Sequence, residues 1–251
     1  SVKHNYLFLL NFYRIYRTMV RAKITALRAQ QLTGKSYEKN QVEHIAKQYI
    51  QQAIGYSQQA TDTKCILISG VAGSGKSYFA NQLLENLPNF NAIIISSDRI
   101  RKSLFGIEAQ QRPNAQQKQQ LYSAQMNKRT YQALADYADI CLKNGFNVIV
   151  DATFLKHEHR QHFYDLARNN HAKSYLFSLT AEIETTVKAI TLRQASNDNP
   201  SDANCEVMNN QRKHIQPPRP NENALSLKNE DLRQHFPAIA IQNFLNLPIK
   251  E

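Results

Sequence analysis

The segment Gly70-Val71-Ala72-Gly73-Ser74-Gly75-Lys76-Ser77 constrains this chain more than any other, and it holds three of the chain's seven glycines. The apolar, β-branched run Cys65-Ile66-Leu67-Ile68-Ser69 leads into it, and a helical stretch leads out. Glycine is needed where the backbone must take positive φ and bring its N–H groups close to an anion. The spacing G-x-x-x-x-G-K-[ST] between a strand and a helix is that of a phosphate-binding loop. It predicts that Gly70, Ala72, Gly73, Ser74, Gly75, Lys76, Ser77 and Tyr78 hold ATP. The loop amides and the positive end of the helix meet the phosphates. Lys76 adds a point charge on the β/γ oxygens, and the Ser77 hydroxyl is positioned for Mg²⁺. Gly34-Lys35-Ser36 is a fragment of the same pattern, but Ala29 stands where its first glycine belongs, so it is set aside.

A length of 251 residues suits one medium domain with an appendage. Cys65, Cys141 and Cys205 are odd in number and form no C-x-x-C, which predicts a reducing cytosol and argues against disulfide or zinc frameworks. No long apolar run predicts a membrane span, and no secretory signal is visible. The chain lacks an initiator Met and reads as a fragment. A net charge of +11 raises the question of nucleic acid. Residues 1–61 carry nine Lys and Arg against two Asp and Glu, so most of the excess lies outside the nucleotide-binding part. Nucleic acid is therefore not the favoured partner.

Residues 1–61 read as a helical hairpin. Leu9, Phe12, Tyr16, Val20, Ile24 and Leu27 form one apolar stripe, Val42, Ile45, Tyr49, Ala53 and Tyr56 a second, and Thr33–Ser36 separates the helices. A basic amphipathic helix on a membrane surface is the alternative to a hairpin packed on a neighbouring domain, which is preferred. Residues 62–251 alternate strand and helix. Strands are predicted at Cys65–Ser69, Ala92–Ser96, Asn147–Asp151 and Ser174–Leu179, with a weaker one at Ala238–Gln242. Helices are predicted at Lys76–Asn86, Asp98–Phe105, Gln116–Asn144, Lys156–Asn169 and Ala181–Ala195. The pattern implies an α/β fold, a parallel sheet covered on both faces in three layers. Ser196–Ser201 and Pro217–Asn223 read as loops or a mobile lid.

Three further positions carry chemistry. Ligands of open α/β sheets sit beyond the carboxyl ends of the strands. Asp98, just past the second strand, is a candidate general base for an acceptor hydroxyl, its competing role being a helix N-cap. Arg101, one turn on, is expected to face the same cleft and bind the acceptor. Asp151 ends the apolar run Asn147-Val148-Ile149-Val150 as a Walker-B carboxylate does, near Ser77 and the metal. Arg193, at the end of a helix, reads either as a lid arginine or as a cation favouring the helix dipole. His157, His159 and His162 are spaced so as to splay round a helix and are not read as a metal site.

Gly70–Ser77, then Ser96-Ser97-Asp98 through Gly106, then Val148-Ile149-Val150-Asp151-Ala152-Thr153-Phe154, with Arg160 and Phe163, resemble one family. It is the ATP-binding half of bifunctional aminoglycoside phosphotransferase/ATP-binding proteins, a P-loop kinase module similar to polynucleotide kinase, chloramphenicol phosphotransferase and zeta-toxin domains. The resemblance spans about residues 64–223. It implies that Asp98 is the general base and Arg193 a lid arginine. Many relatives carry another arginine four residues earlier, where this chain has Ala189, with Lys188 as the nearest substitute. Phe12–Arg17, Val20–Lys23 and Leu27-Arg28 are similar to the closing helices of the phosphotransferase-like half, whose catalytic elements would lie upstream.

The leading expectation is a cytoplasmic Mg²⁺-ATP-dependent phosphotransferase acting on a hydroxyl of a small molecule or nucleotide. Asp98, Lys76 and Arg193 are catalytic, Ser77 and Asp151 hold the metal, and Arg101 with Asp98 faces the acceptor. An ATP-binding regulatory module and a nucleic-acid 5′-hydroxyl kinase are the alternatives. The acceptor pocket is expected between residues 98–106 and 112–130, with Arg112, Gln116, Tyr122 and Arg129 in its wall.

Overall fold

The structure is a computed structural model that describes residues 7–32, 36–57, 62–87, 91–195 and 205–247. Two compact units make up the chain, Ser1–Thr61 and Asp62–Glu251.

The first unit pairs helix α1 (Leu7–Gln31) with α2 (Ser36–Ser57). The seam between them keeps most of the predicted α2 stripe, with Ala53 buried and Val42, Tyr49 and Tyr56 half-buried, but departs from the predicted α1 stripe. Thr18, Ala22 and Ala29 of α1 and Ala46 and Ala53 of α2 are buried, whereas Phe12, Tyr16, Ile24 and Leu27 are exposed. Small side chains let two helix backbones approach closely, and that contact takes precedence over the larger apolar residues. Arg14 stacks over Tyr56 at 4.0 Å, and Phe12 stacks with Tyr16 at 6.4 Å on the exposed side. Residues 33–35, within the predicted break, lie outside the described part.

The second unit begins with β1 (Lys64–Ser69), α3 (Lys76–Asn86), β2 (Ala92–Ser96), α4 (Ser97–Phe105), α5 (Ala115–Leu121) and α6 (Ala124–Lys143). It continues with β3 (Asn147–Asp151), α7 (His157–Asn169), β4 (Lys173–Thr180), α8 (Ile183–Ala195) and α9 (Cys205–His214). The last elements are β5 (Ala224–Lys228), α10 (Asn229–Gln234) and α11 (Ala238–Phe244). All strand pairs are parallel, in the order β2-β3-β1-β4-β5. β1 and β3 lie inside the sheet and are buried along their length, as their continuous apolar sequences require. Phe79, Leu83, Leu232, Ile241 and Leu245 from α3, α10 and the end of α11 pack on Ile66, Ile68, Ile149 and Phe177. The alternate residues of the strands turn to the other face, where α6 and α7 lie against β1, β3 and β4. This is the expected three-layer α/β/α fold.

Two predicted elements are corrected, and one strand is added. Ala238–Gln242 is not a strand but the start of α11, which follows Pro237 and turns Ile241 into the core. The fifth strand is Ala224–Lys228. Its alternation of half-buried Leu225 and Leu227 with exposed Ser226 and Lys228 is that of an edge strand. The predicted helix Gln116–Asn144 is two helices. It breaks at Tyr122-Ser123, where the Ser123 hydroxyl accepts the Met126 N–H at 3.2 Å and caps α6.

Pro217–Asn223 is an irregular segment, as expected, but it is fastened. Arg160 is only 1% exposed. Its Nε donates to Glu222 Oε2 at 2.7 Å and its Nη2 to Glu222 Oε1 at 3.0 Å. Its Nη1 donates to the carbonyls of Phe154 at 2.9 Å and Gln216 at 3.1 Å. Tyr164 donates to Glu222 Oε2 at 3.0 Å, and His157 Nδ1 lies 2.9 Å from Glu222 Oε1. Burial pushes the Glu222 carboxyl upward, but hydrogen bonds from Arg160, His157 and Tyr164 outweigh it and hold the pKa below the usual glutamate range. Ser196–Ser201 lies outside the described residues.

Candidate functional site

Strand register brings the candidate residues to one edge of the sheet. Asp151 ends β3 opposite Ile68 of β1 and Ser96 of β2. The phosphate loop therefore leaves β1 on one side of Asp151, and Asp98 follows β2 on the other. Thr153 ties the first of these together. Its carbonyl accepts the Gly70 N–H at 3.1 Å and the Ser69 hydroxyl at 3.2 Å. The Tyr131 hydroxyl braces the same turn by accepting the Phe154 N–H at 3.1 Å, and burial raises its pKa.

Within the loop, Gly73 and Gly75 have φ of +83° and +88°. A Cβ on Gly73 would fall 2.8 Å from the Thr186 carbonyl, and one on Gly75 2.6 Å from Asn229 Oδ1. Both glycines are therefore fixed by conformation and by close neighbours. Gly75 is the N-cap of α3, whose first turn holds no acidic residue. The amides and the helix end face a region free of carboxylates on that helix, which suits an anion. The Lys76 ammonium donates to the Val71 carbonyl at 2.8 Å, folded back across its own loop. Tyr78, in the first turn of α3, is 41% exposed, and its ring lies 5.6 Å from the Arg233 guanidinium.

The Ser77 hydroxyl donates to Asp151 Oδ2 at 2.6 Å. Asp151 is 6% exposed. It does not cap the following helix, which starts from Lys156. A hydroxyl and a carboxylate oxygen in contact at the end of a phosphate loop are hard oxygen donors of the kind Mg²⁺ takes. Behind the loop, Ser74 Oγ and both side-chain polar atoms of Asn229 are buried without hydrogen-bond partners. The glycine cradle, the unsatisfied polar atoms and the Ser77–Asp151 pair fit a polyphosphate with its divalent cation.

Asp98 is half-buried in the first turn of α4. The N-cap of that helix is Ser96, so the competing role of Asp98 as the cap falls away. Arg101 departs from expectation. It is 8% exposed, and its Nη1 donates to the Leu121 carbonyl at 3.0 Å and to Asn127 Oδ1 at 2.6 Å. The guanidinium lies over Tyr122 at 5.1 Å. It joins α4 to the α5–α6 break instead of facing the cleft, because the break exposes a carbonyl that needs a donor. Lys102, 2% exposed, similarly holds the carbonyls of Ala109 and Gln111. Arg193 falls in the last turn of α8, and its side chain lies outside the described residues. Lys188 is exposed.

The expected acceptor wall is only partly met. A cavity of about 520 Å³ is lined by Phe105, Gln119, Gln120, Ser123, Met126 and Arg129, among others. Arg112, Gln116 and Tyr122 are not in its wall. It opens at the far end of α4, roughly 10 Å along the helix from Asp98 at 1.5 Å per residue. The three histidines go to separate neighbours: His157 to Glu222, His159 stacked on Tyr131 at 4.0 Å, and His162 against Phe163. Burial lowers the pKa of His159.

Two residues close to the loop carried no readable sequence signal. The Ala72 N–H donates to Gln211 Oε1 of α9 at 2.7 Å. Asn229 backs Gly75 from the end of β5, a strand-end position visible only once β5 is located.

These features define a P-loop kinase-like fold. The chain belongs to the AAA_33 family, whose AAA-domain model matches residues 65–218. It is 29% identical over 200 residues to the uncharacterized protein Rv2004c of Mycobacterium tuberculosis and, equally, to Mb2027c of Mycobacterium bovis. Each match covers 78% of this chain but only 37% of the relative, so the chain spans little more than a third of their length. Three solved structures share the fold. One is a sugar kinase from a Janibacter species, with TM-score 0.53 and 15% identity over 74% of this chain and 95% of that one. The second is Kti12 of Chaetomium thermophilum in complex with ADP-AlF3, with TM-score 0.52 and 19% identity over 70% and 97%. The third is the Mycobacterium tuberculosis APS kinase CysC in complex with AMPPNP and APS, with TM-score 0.50 and 17% identity over 74% and 98%. Among the described residues no helix is long and apolar enough to cross a membrane.

Proposed function

We propose that the second unit is a Mg²⁺-ATP-dependent phosphotransferase of the P-loop kinase type, acting on a hydroxyl of a small molecule or nucleotide. The observation that carries this reading is the Ser77–Asp151 contact at the foot of the glycine cradle, with Asp98 across the same sheet edge. Ser77 and Asp151 would hold Mg²⁺, and the loop amides from Ala72 to Ser77 would hold the phosphates. Bound there, the cation would neutralise charge on the phosphate oxygens. Lys76 stabilises negative charge from the other side once its ammonium leaves the Val71 carbonyl, and Arg193 is proposed to do so from α8. Asp98 accepts the proton of the acceptor hydroxyl. Arg101 is assigned to holding α4 on α5 and α6 and no longer to the acceptor.

Names of kinases among the structural neighbours support this reading at the level of fold. Exposed aromatics on α1 support the further proposal that residues 1–61 meet an upstream phosphotransferase-like domain. Asp98→Asn separates transfer from mere nucleotide binding. Phosphoryl transfer from labelled ATP to pools of nucleosides, oligonucleotides, sugars, aminoglycosides and metabolites identifies an acceptor. Asp98→Asn then lowers the rate about 10²–10⁴-fold, the usual worth of a general base, with ATP affinity unchanged. Transfer at the parent rate would remove Asp98 from the mechanism. An effect on slow ATP hydrolysis alone, with no pool labelled, would favour the regulatory module.

A further inference from the structure

The contact between Gln211 and the phosphate loop belongs to neither the metal pair nor the acceptor side. Gln211 lies in the C-terminal half of α9, and its Oε1 accepts the backbone N–H of Ala72 at 2.7 Å. Apolar packing surrounds the bond. Ile190 of α8 and Met208 of α9 are buried against Val71 and Ala72. The neighbouring Arg212 donates to the Ala181 carbonyl at 2.9 Å and to Thr186 Oγ1 at 3.2 Å, fastening α9 to the start of α8. Thr186 in turn stands against Gly73. The first half of the loop is thus joined to α8 and α9, and its second half leads into α3 and toward Asp151.

An amide on a phosphate loop seeks an anionic oxygen. Gln211 offers it a neutral one, on a side chain with three rotatable bonds and a half-buried position. A hydrogen bond to an ionised oxygen is roughly twice as strong as one between neutral groups. An oxygen of the terminal phosphate that reaches Ala72 therefore displaces Gln211, whereas a nucleotide one phosphate shorter leaves the pair intact.

We infer that Gln211 reports the terminal phosphate: it caps the Ala72 N–H while that phosphate is missing and yields it to a nucleoside triphosphate, loosening α9 from the loop. The inference rests on the nucleotide-binding reading above. Gln211 is a positioning residue, acting through α9 and the loop rather than on the reacting atoms.

The test uses the whole chain with ADP·Mg²⁺ and with a non-hydrolysable ATP analogue·Mg²⁺, read by amide hydrogen exchange over residues 205–214 and by calorimetry. The analogue speeds exchange in α9 and ADP does not. In Gln211→Leu, α9 exchanges fast without ligand, and the analogue binds about threefold to tenfold more tightly relative to ADP than in the parent. That range is the loss of one competing neutral hydrogen bond. Gln211→Glu keeps an acceptor on Ala72 but sets a charge beside the phosphate. It weakens the analogue at least about tenfold more than ADP, and it serves if the leucine variant does not fold. Equal responses of α9 to ADP and analogue, or an unchanged affinity ratio in both variants, overturn the role of Gln211 and leave nucleotide binding standing. Failure of the parent to bind either nucleotide overturns the nucleotide reading and this inference with it.

Discussion

Arg160→Met tests whether the fastening of residues 216–222 is a major support of the second unit. The arginine is nearly fully buried, and the side chain of its partner Glu222 is 6% exposed. Methionine keeps much of the side-chain volume but strands a buried carboxylate and removes donors from the carbonyls of Phe154, Gln216 and Pro217. Breaking a buried pair from one side costs about 3–5 kcal/mol. For a domain of this size each kcal/mol lowers the midpoint by about 2–4 °C, so the expected fall is about 6–20 °C. Differential scanning calorimetry of both proteins measures it. Arg160→Met/Glu222→Leu recovers much of the loss, because an apolar pair does not pay for desolvating a lone charge. The pH dependence has a definite sign. The folded state holds Glu222 below its unfolded pKa, so its contribution is fully present above the ordinary glutamate range and disappears as pH falls through the lowered value. In Arg160→Met burial is no longer outweighed by the arginine, so acidification costs the variant less stability than it costs the parent. A midpoint within about 2 °C of the parent, or a double variant no more stable than the single one, would refute the reasoning.

Lys76→Ala is expected to lower ATP·Mg²⁺ affinity by at least about tenfold, as loss of a charged phosphate ligand requires, with an unchanged circular dichroism spectrum. Equal affinity by calorimetry would remove the phosphate-loop assignment. Asp151→Asn keeps an acceptor for the Ser77 hydroxyl but loses the charge, so it should abolish the Mg²⁺ dependence of ATP binding and leave metal-free binding nearly unchanged. Titrations with and without EDTA measure both. Gly73→Ala should cost about 1–2 kcal/mol for the left-handed backbone alone, and more through the Thr186 carbonyl 2.8 Å from the new Cβ. A thermal midpoint equal to the parent's would show that the loop can adopt another conformation.

Much of the sheet was readable because β1, β3 and β4 are buried strands whose apolar runs end at chemically marked residues. The phosphate loop and Asp151 were readable for the same reason, since each follows such a run. β5 was missed because an edge strand needs only Leu225 and Leu227 facing inward, a signal weaker than the four apolar residues of Ala238–Ile241. A preceding proline and a helical turn then put those four to another use. The α1 stripe misled because aromatic residues at helical spacing describe an amphipathic face without saying what covers it. Arg101 misled because periodicity gives the side of a helix, whereas the loose carbonyl of Leu121 depended on a helix break set by one serine. Gln211 and Asn229 reach the loop only through tertiary packing of segments remote in sequence.

The fastening at Arg160 also bears on how the edge of the sheet is held. β4 and β5 are neighbours, yet residues 181–223, with α8 and α9, separate them along the chain. Closing so long an excursion carries an entropy cost that grows only slowly with length but must be met before β5 gains any pairing. Glu222 stands two residues ahead of β5, and Arg160 belongs to α7, which precedes β4. The Arg160–Glu222 contact holds the far end of the excursion against α7, two residues before Ala224 takes its register opposite Leu176. Asn229, directly after β5, stands in the wall behind Gly75, so that wall depends on the pairing of β5 with β4. The nucleotide cradle is thus built in part from the carboxyl-terminal part of the chain, and a change that loosens β5 also reaches the phosphate loop.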